Sequence, residues 1–191
     1  MQKKIQLLER KLLGSGSFVK LEQLDFIDRR GIKRHWESVG RVNSNGAATI
    51  IAEIVPGGKL ILVKQFRPPA WREVIEFPAG LIDSGETPAE TAVRELREET
   101  GFEGEVEHVF EDVISAPGMS SEKMNVVIIK IDGNKYQNGL TASFQDESED
   151  IETIVVHKNE LFDFLKKSSE AGIAIDTKLL HYAMAMKFGQ R

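Results

Sequence analysis

The stretch Gly80-Leu-Ile-Asp-Ser-Gly-Glu-Thr-Pro-Ala-Glu-Thr-Ala-Val-Arg-Glu-Leu-Arg-Glu-Glu-Thr-Gly-Phe102 predicts a helix near the middle of the chain. Thr87 is a good N-cap, the proline after it suits the first helical position, and Glu90 completes a capping box. Gly101 can adopt the left-handed conformation that ends many helices. We therefore expect about a dozen helical residues between the Thr-Pro pair and this glycine.

One side of this helix is apolar, and clustered carboxylates stand beside it. The apolar residues follow the i, i+3, i+4, i+7 spacing of a face that packs on a core. Glu95, Glu98 and Glu99 flank that face, and like charges three or four residues apart repel one another. A hard divalent cation with oxygen ligands, Mg²⁺ above all, would offset this repulsion. The alternative is a solvated acidic face that is supported by Arg94 and Arg97.

The spacing around these glutamates matches a known motif. Gly80, five residues, Glu86, seven residues, and then Arg94-Glu95-Leu96-x-Glu98-Glu99-x-Gly101-Phe102 resembles the Nudix box at every defined position. The chain is therefore similar to Nudix hydrolases. This resemblance implies an α/β fold, with a Nudix-type mixed-sheet α/β/α sandwich, and the hydrolysis of a phosphoanhydride.

Composition is that of an ordinary globular protein, with 41% hydrophobic and 29% charged residues. The net charge of −5 argues against nucleic acid as a partner, so local arginines and metal ions must meet any anionic substrate. The lack of cysteine excludes disulfides, thiolate metal sites and cysteine nucleophiles. No stretch has the apolar length of a signal peptide or a membrane span, so we expect a cytoplasmic protein without a membrane partner.

Hydrophobic patterning predicts the other elements of the chain. Residues 2–13 have helical spacing and predict a short amphipathic helix before a flexible turn at 14–17. Alternating apolar and polar residues predict strands at 18–26, 33–42, 47–55, 59–65, 73–77, 105–115, 124–132 and 151–157. Two further helices are expected at 159–167 and 176–187. We expect residues 1–42 to form an N-terminal helix and β arm, and residues 43–191 to form the Nudix domain.

The resemblance extends beyond the box to one branch of the family. Trp36-Glu37-Ser38-Val39, residues 62–69, residues 75–80 and Ser115-Ala116-Pro117-Gly118 resemble ADP-ribose and nucleoside diphosphate sugar pyrophosphatases. This similarity covers about residues 18–165. A proline 16 residues after the glycine of the box is the mark of that branch, and Pro117 stands at that distance. The alternative is an ordinary turn proline before a glycine.

The resemblance also implies roles for the charged residues. Glu95 and Glu99 would be the principal metal ligands, with Glu98 as a further ligand or a catalytic group. The main-chain carbonyl of Ala79 would be a backbone ligand, and Arg94 would orient the glutamates. The implied metal is Mg²⁺, with Mn²⁺ as an alternative.

The general base of that branch lies on an acidic loop between the last strands, which corresponds here to residues 145–150. We choose Glu147 as the base, with Glu149 as the second choice and Glu122 as a weaker one. The alternative is that this loop is only a solvated run of charge.

Substrate recognition requires an aromatic face for a base and positive charge for a diphosphate. By resemblance, Trp36 stacks on adenine, while Arg41 and Arg67 lie near the phosphates and the ribose. The alternative for Trp36, as a residue in a strand, is a position in the core. The loop after the box helix would form a wall of the site through Pro117, Gly118 and Met119.

The sequence thus predicts a Mg²⁺-dependent pyrophosphohydrolase. It would convert ADP-ribose, or a related nucleoside diphosphate sugar, to a nucleoside monophosphate and a sugar phosphate. One alternative is hydrolysis of another such sugar, for example GDP-mannose, and a second is a catalytically silent domain that senses nucleotide sugars. The intact box glutamates argue against the sensor. The resemblance also implies a homodimer in which the N-terminal strands contribute to the partner's site.

Overall fold

The computed structural model describes residues 4–136 and 150–189. The strands of these ranges are β1 (Gln6–Ser15), β2 (Val19–Ile27), β3 (Lys33–Arg41), β4 (Ala47–Val55), β5 (Lys59–Arg67), β6 (Arg72–Glu76), β7 (Ala79–Leu81), β8 (Glu105–Ile114), β9 (Lys123–Asp132), β10 (Ile151–His157) and β11 (Ala174–Ile175). The helices are α1 (Pro88–Thr100), α2 (Leu161–Glu170) and α3 (Thr177–Phe188), and short 3₁₀ turns lie at Pro68–Ala70 and Gly133–Tyr136.

The strands form two sheets. The first is antiparallel, with the order β1-β2-β3, and the second has the order β11-β6-β5-β4-β9-β8, with β10 also paired to β5 and β7 paired to β4. The described chain divides into two compact units, one of residues 4–46 and 112–124 and the other of residues 47–111, 125–136 and 150–189. The three-stranded sheet belongs to the first unit, and all three helices belong to the second.

Helices cover both faces of the larger sheet within the second unit. On one face, Ala92 and Leu96 of α1 pack into a cluster with apolar residues of β4, β5 and β9. On the other face, α2 and α3 pack over β5 and β6. In β4, Ile50 belongs to the first cluster and Ile51 packs against the second, because successive side chains of a strand point to opposite faces. The predicted mixed α/β/α arrangement is therefore confirmed.

The box helix α1 begins and ends close to its predicted limits. The Thr87 hydroxyl accepts a hydrogen bond from the Glu90 N–H, and the Thr87 N–H donates to the Glu90 carboxylate at 2.8 Å. At the other end, Gly101 has a φ of 74° and donates its N–H to the Arg97 carbonyl. The capping box and the glycine stop are thus both confirmed. Among the helices of the described ranges, none combines the length and the apolar content that crossing a membrane requires.

The expected helix over residues 2–13 is wrong, because β1 occupies Gln6–Ser15. β1 pairs antiparallel with β2, and two shifts of register interrupt this pairing. Each irregularity disturbs the regular alternation of side chains, so the apolar residues of β1 recur at intervals that resemble those of a helix. The turn expected at 14–17 is also shorter, because Gly14 and Ser15 belong to the strand.

Pairing between distant residues determines what belongs to the first unit. The Val39 N–H of β3 donates to the Met119 carbonyl at 2.8 Å, and the Ser121 N–H donates to the Val39 carbonyl at 3.1 Å. These bonds attach the loop between β8 and β9 to the N-terminal sheet. Two short strands, β7 and β11, were also not predicted, since each forms only by pairing with β4 or β6.

Candidate active site

The Ala79–Gly80 backbone lies against two carboxylates of α1. In the pairing of β7 with β4, Gly80 stands opposite Ala48. The Ala79 N–H donates to the Glu99 carboxylate at 3.2 Å. A Cβ atom on Gly80 would lie 1.9 Å from the carboxyl carbon of Glu95, so Glu95 fills the space that a side chain at residue 80 would need. Two glutamates of the helix therefore converge on one short stretch of backbone.

Burial differs among the three box glutamates. Glu99 keeps 3% of its surface exposed. The side chain of Glu95 is 13% exposed, whereas that of Glu98 is 40% exposed. Burial of an ionised carboxylate is unfavourable unless the group is paired, hydrogen-bonded or bound to a metal. Glu95 and Glu99 are accordingly the inner pair of this site, and Glu98 lies at its rim.

Arg94 connects the box carboxylates to one another. Its guanidinium donates to both oxygens of Glu86, at 2.9 and 3.0 Å. Its Nη1 donates to Glu95 at 2.8 Å and to Glu98 at 2.9 Å. Hydrogen bonds with Glu86, and then with Glu98 and Glu95, raise the pKa of Arg94 above its ordinary value. Because the pairing with Glu86 is bidentate, the guanidinium plane is fixed, which is the geometry that an orienting role requires.

Glu86 anchors Arg94, although its sequence position had suggested no role to us. Its carboxylate also accepts a hydrogen bond from the Thr91 hydroxyl at 2.8 Å. The hydrogen bonds from Arg94 and then Thr91 lower the pKa of Glu86 from 4.5 to about 2. The signal that could have identified it was its defined place in the box, eight residues before the arginine.

We expect Glu86→Gln to flatten the acid side of the stability profile. A carboxylate whose pKa is lowered by folding contributes stability above its unfolded pKa, and this contribution is lost as the pH falls through the folded pKa. Between about pH 5 and about pH 2 the wild-type Tm should therefore fall more steeply than the Tm of the variant. Thermal unfolding of both proteins across this range measures the difference, and parallel curves would contradict it.

The oxygen atoms of this site fit a hard divalent cation. Mg²⁺ is usually bound through one or two carboxylates together with waters and substrate phosphates. Glu95, Glu99 and the backbone of Ala79 offer carboxylate and carbonyl oxygens in one small region. Within residues 4–136 and 150–189, no three His, Asp or Glu side chains form a ready-made metal cluster. The donor set therefore suits a cation that is shared with a phosphate ligand.

Arg67, predicted to lie near phosphates, belongs to the same compact unit. Its Nε donates to Glu76 at 2.6 Å. Burial disfavours the charge of Arg67, but the hydrogen bond to Glu76 and the negative charges of Glu76 and Glu99 raise its pKa. Glu76 was not identified from the sequence, and it lies three residues before Ala79. Arg67 is thus held as a cation within the unit that carries the box helix.

The other predicted substrate residues lie in the first unit. The Trp36 indole N–H donates to the Gly118 carbonyl at 3.0 Å. Arg41 forms an ion pair with Glu122. Trp36 is 55% exposed, so the alternative that it is a core residue is wrong. The same loop carries Pro117 and Met119 beside Gly118. The predicted site residues therefore fall into two groups, one in each compact unit.

The predicted general bases are not all within the described residues. Glu147 and Glu149 lie outside residues 4–136 and 150–189. Glu122, the weaker choice, is described, and its carboxylate is held by the ion pair with Arg41.

Known proteins match this chain over most of its length. The family model for the NUDIX domain matches residues 44–172. An ADP-sugar pyrophosphatase of Mus musculus is 35% identical over 184 residues, covering 92% of this chain and 84% of the relative. An ADP-ribose pyrophosphatase of Saccharomyces cerevisiae is 30% identical over 179 residues, covering 88% and 77%. A methanol dehydrogenase activator of Bacillus methanolicus is 32% identical over 184 residues, covering 91% of each. With both the box geometry and these matches in agreement, the chain belongs to the Nudix family.

Proposed function

We propose that this protein hydrolyses the diphosphate of ADP-ribose or a related nucleoside diphosphate sugar. The products are a nucleoside monophosphate, AMP from ADP-ribose, and a sugar phosphate, here ribose 5-phosphate. The observation that carries this proposal is the convergence of Glu95 and Glu99 on the Ala79–Gly80 backbone, with Arg94 bonded to the box carboxylates. The names of the mouse and yeast relatives support the substrate class.

The side chains of the second unit have distinct tasks in this proposal. Glu95, Glu99 and the Ala79 carbonyl would hold a divalent cation, with Glu98 as a further ligand or catalytic group. Such a cation, when bound, neutralises phosphate oxygens and lowers the pKa of a bound water. Arg94 keeps Glu95 and Glu98 oriented through its hydrogen bonds.

Charge and proton transfer complete the mechanism. Arg67 supplies a fixed positive charge for the diphosphate, since Glu76 orients its guanidinium. Glu147 accepts the proton of the attacking water, with Glu149 as the alternative base. The acid–base step thus depends on a carboxylate outside the box helix.

We assign recognition of the nucleoside to the group of residues in the first unit. Trp36 offers an exposed indole face for the base, and Arg41 offers positive charge. The hydrogen bond from Trp36 to the Gly118 carbonyl fixes the edge of the indole ring. Pro117, Gly118 and Met119 would line the substrate beside it.

A substrate panel tests the proposed activity. ADP-ribose, an ADP-sugar, a UDP-sugar and GDP-mannose are each incubated with enzyme and Mg²⁺, and the products are separated by chromatography. We expect AMP and ribose 5-phosphate from ADP-ribose at the highest kcat/KM. Preferred cleavage of GDP-mannose would move the assignment within the family, and turnover of none would favour the nucleotide-sugar sensor.

The metal requirement is tested in the same assay. EDTA should abolish turnover, and excess Mg²⁺ should restore it. Substitution of Mn²⁺ for Mg²⁺ shows which cation gives the higher kcat/KM. Activity that persists after exhaustive chelation would contradict the assignment of Glu95 and Glu99 as metal ligands.

We expect Gly80→Ala to lower kcat/KM by about 10–100-fold with little loss of stability. The new Cβ cannot share its position with the Glu95 carboxyl group, which lies 1.9 Å away. Because the end of a glutamate side chain is flexible, Glu95 will swing aside and the backbone will remain in place. Kinetics and thermal unfolding measure the two effects, and Gly85→Ala is a useful comparison because its Cβ would meet no atom within 4 Å.

The Gly85 comparison is read with its backbone in mind. Gly85 has a φ of 91°, so alanine there is strained but not crowded. Gly85→Ala should therefore lower the Tm more than it lowers kcat/KM, and Gly80→Ala should do the reverse. If Gly80→Ala kept wild-type kinetics, the position of Glu95 over Gly80 would be of no consequence for catalysis.

We further propose a homodimer that forms through the first unit. Every residue of β1 is exposed, including Leu7, Leu8, Leu12 and Leu13. Contiguous exposed apolar side chains commonly mark an interface. Light scattering at micromolar concentration should give twice the 21.4 kDa mass of the chain, and Leu12→Glu should shift this toward the monomer. A monomer mass for the wild type would contradict the proposal.

A further inference from the structure

Trp71 has a backbone conformation that tryptophan seldom adopts. Its φ of 51° and ψ of 40° lie in the left-handed region, where the Cβ atom crowds the following carbonyl. Trp71 ends the 3₁₀ turn Pro68–Ala70, and its N–H donates to the Arg67 carbonyl at 3.0 Å and to the Pro68 carbonyl at 3.1 Å. Glycine would adopt this conformation without strain. The chain thus keeps a bulky side chain at a position where the backbone favours none.

Burial does not explain this side chain. Trp71 is 80% exposed, the highest value among the large hydrophobic residues of the described chain. Its ring meets the ring of Phe66, itself exposed, edge to face with centroids 5.5 Å apart. Neither ring belongs to a core cluster of the second unit. We call these two rings the aromatic tip. Strain that is not repaid by burial is typical of residues that serve a binding function.

Arg67 connects the aromatic tip to the box carboxylates. It directly follows Phe66 in β5, and its Nε donates to Glu76 at 2.6 Å. Glu76 lies three residues before Ala79, whose N–H donates to the Glu99 carboxylate at 3.2 Å. All these residues belong to the second unit. The aromatic tip and the carboxylates are therefore linked by a short series of bonded groups within one compact body.

We propose that the aromatic tip is a stacking surface for the base of the nucleotide substrate, with Trp71 presenting the face of its ring. The inference rests on the proposed function, because a diphosphate near Arg67 carries a nucleoside on one side. An indole face offers stacking to any base, and the adjacent arginine offers charge to the phosphate. A second copy of the chain is the other occupant that such an exposed aromatic pair could accept. The experiments below separate the two.

Single-tryptophan variants report the two indole rings separately, since Trp36 and Trp71 are the two tryptophans of the chain. The probe is an ADP-ribose analogue with a methylene bridge between the phosphorus atoms, which binds with Mg²⁺ but is not hydrolysed. In Trp36→Phe we expect this analogue to quench the emission of Trp71 saturably, with the midpoint that calorimetry gives for binding. Ribose 5-phosphate, which lacks a base, should leave the emission unchanged.

Each result of this titration decides a point. Saturation by calorimetry without any change in the emission of Trp71 overturns the stacking surface and leaves the proposed substrate class intact. Failure of the wild type to bind the analogue overturns the substrate class, and this inference with it. Quenching that occurs in Trp71→Phe but not in Trp36→Phe assigns the base to Trp36 alone.

Trp71→Gly removes the ring and the backbone strain together. We expect the KM for ADP-ribose to rise about 10-fold while kcat stays within about twofold, because stacking contributes equally before and during the chemical step. The Tm should not fall, and Trp71→Phe should recover most of the affinity. Phe188→Ala is the matched control, since Phe188 is also exposed and meets Phe162 edge to face at 5.3 Å, and its KM should match the wild type.

Three outcomes would overturn the inference. An unchanged KM in Trp71→Gly, with normal wild-type turnover, would show that the ring makes no contact with substrate. A Tm lower by more than about 4 °C would show that the ring is structural. A loss of mass in light scattering for Trp71→Gly would reassign the aromatic tip to a contact between copies of the chain.

Discussion

Replacing Glu99 by glutamine should lower kcat for ADP-ribose by about 10³-fold while the protein remains folded. Glutamine has the shape of glutamate but lacks the negative charge that a divalent cation requires. Its side-chain oxygen can still accept the Ala79 N–H, which lies 3.2 Å from the Glu99 carboxylate, so the buried contact survives. Steady-state kinetics at saturating Mg²⁺ measure the loss, and circular dichroism with thermal unfolding measures the fold.

Glu95→Gln should have a similar effect, since Glu95 is the second inner carboxylate of the site. Its hydrogen bond from Arg94 can persist through the amide oxygen, so the arginine stays in place. Glu103→Gln is the control, because Glu103 is exposed and meets only the flank of α1 through Arg97 at 3.4 Å. Activity within a few-fold of wild type in either box variant would remove that residue from the metal site.

Glu147→Gln should lower kcat by about 10²–10⁴-fold with little change in KM, because a general base acts in the transition state. Glu149→Gln should have a much smaller effect. The two residues are two positions apart, and on an extended segment their side chains would face opposite ways. Steady-state kinetics of both variants with ADP-ribose, together with single-turnover measurements of the chemical step, test this ranking.

The reverse ranking would assign the base to Glu149. Two near-normal variants would exclude both residues and direct attention to Glu122 or a box glutamate. Glu122 is already engaged by Arg41, so Glu122→Gln is expected to act mainly through the position of that arginine. Such an effect would raise KM rather than lower kcat.

Local sequence was sufficient for the box helix. Thr87, Glu90 and Gly101 act on backbone groups within one helical turn of themselves, so their effects do not depend on the rest of the fold. The strands β4 and β10 likewise match their predicted limits, because strong apolar patterning and flanking turn residues mark them. Within these elements, local preference and tertiary structure agree.

The candidate site was only partly accessible in this way. The spacing of the box identifies Glu95, Glu98 and Glu99 as one acidic group of a helix, since residues three and four apart share a face. It does not reveal that Glu95 fills the space over Gly80, or that Arg67 pairs with Glu76, because these contacts join separate strands and the helix. Glu76 was missed for this reason.

The sequence by itself determined the helix that carries the carboxylates, the spacing of those carboxylates and the mixed α/β class. The tertiary structure alone decided that residues 6–15 form a strand, that residues 79–81 pair with β4, and that Trp36 and Arg41 are held by the loop that includes Gly118 and Glu122. The physical reason is the range of the interactions. Caps and helical periodicity depend on neighbouring residues, whereas strand pairing and the ion pair of Arg41 depend on partners up to about 80 positions away, which no local pattern encodes.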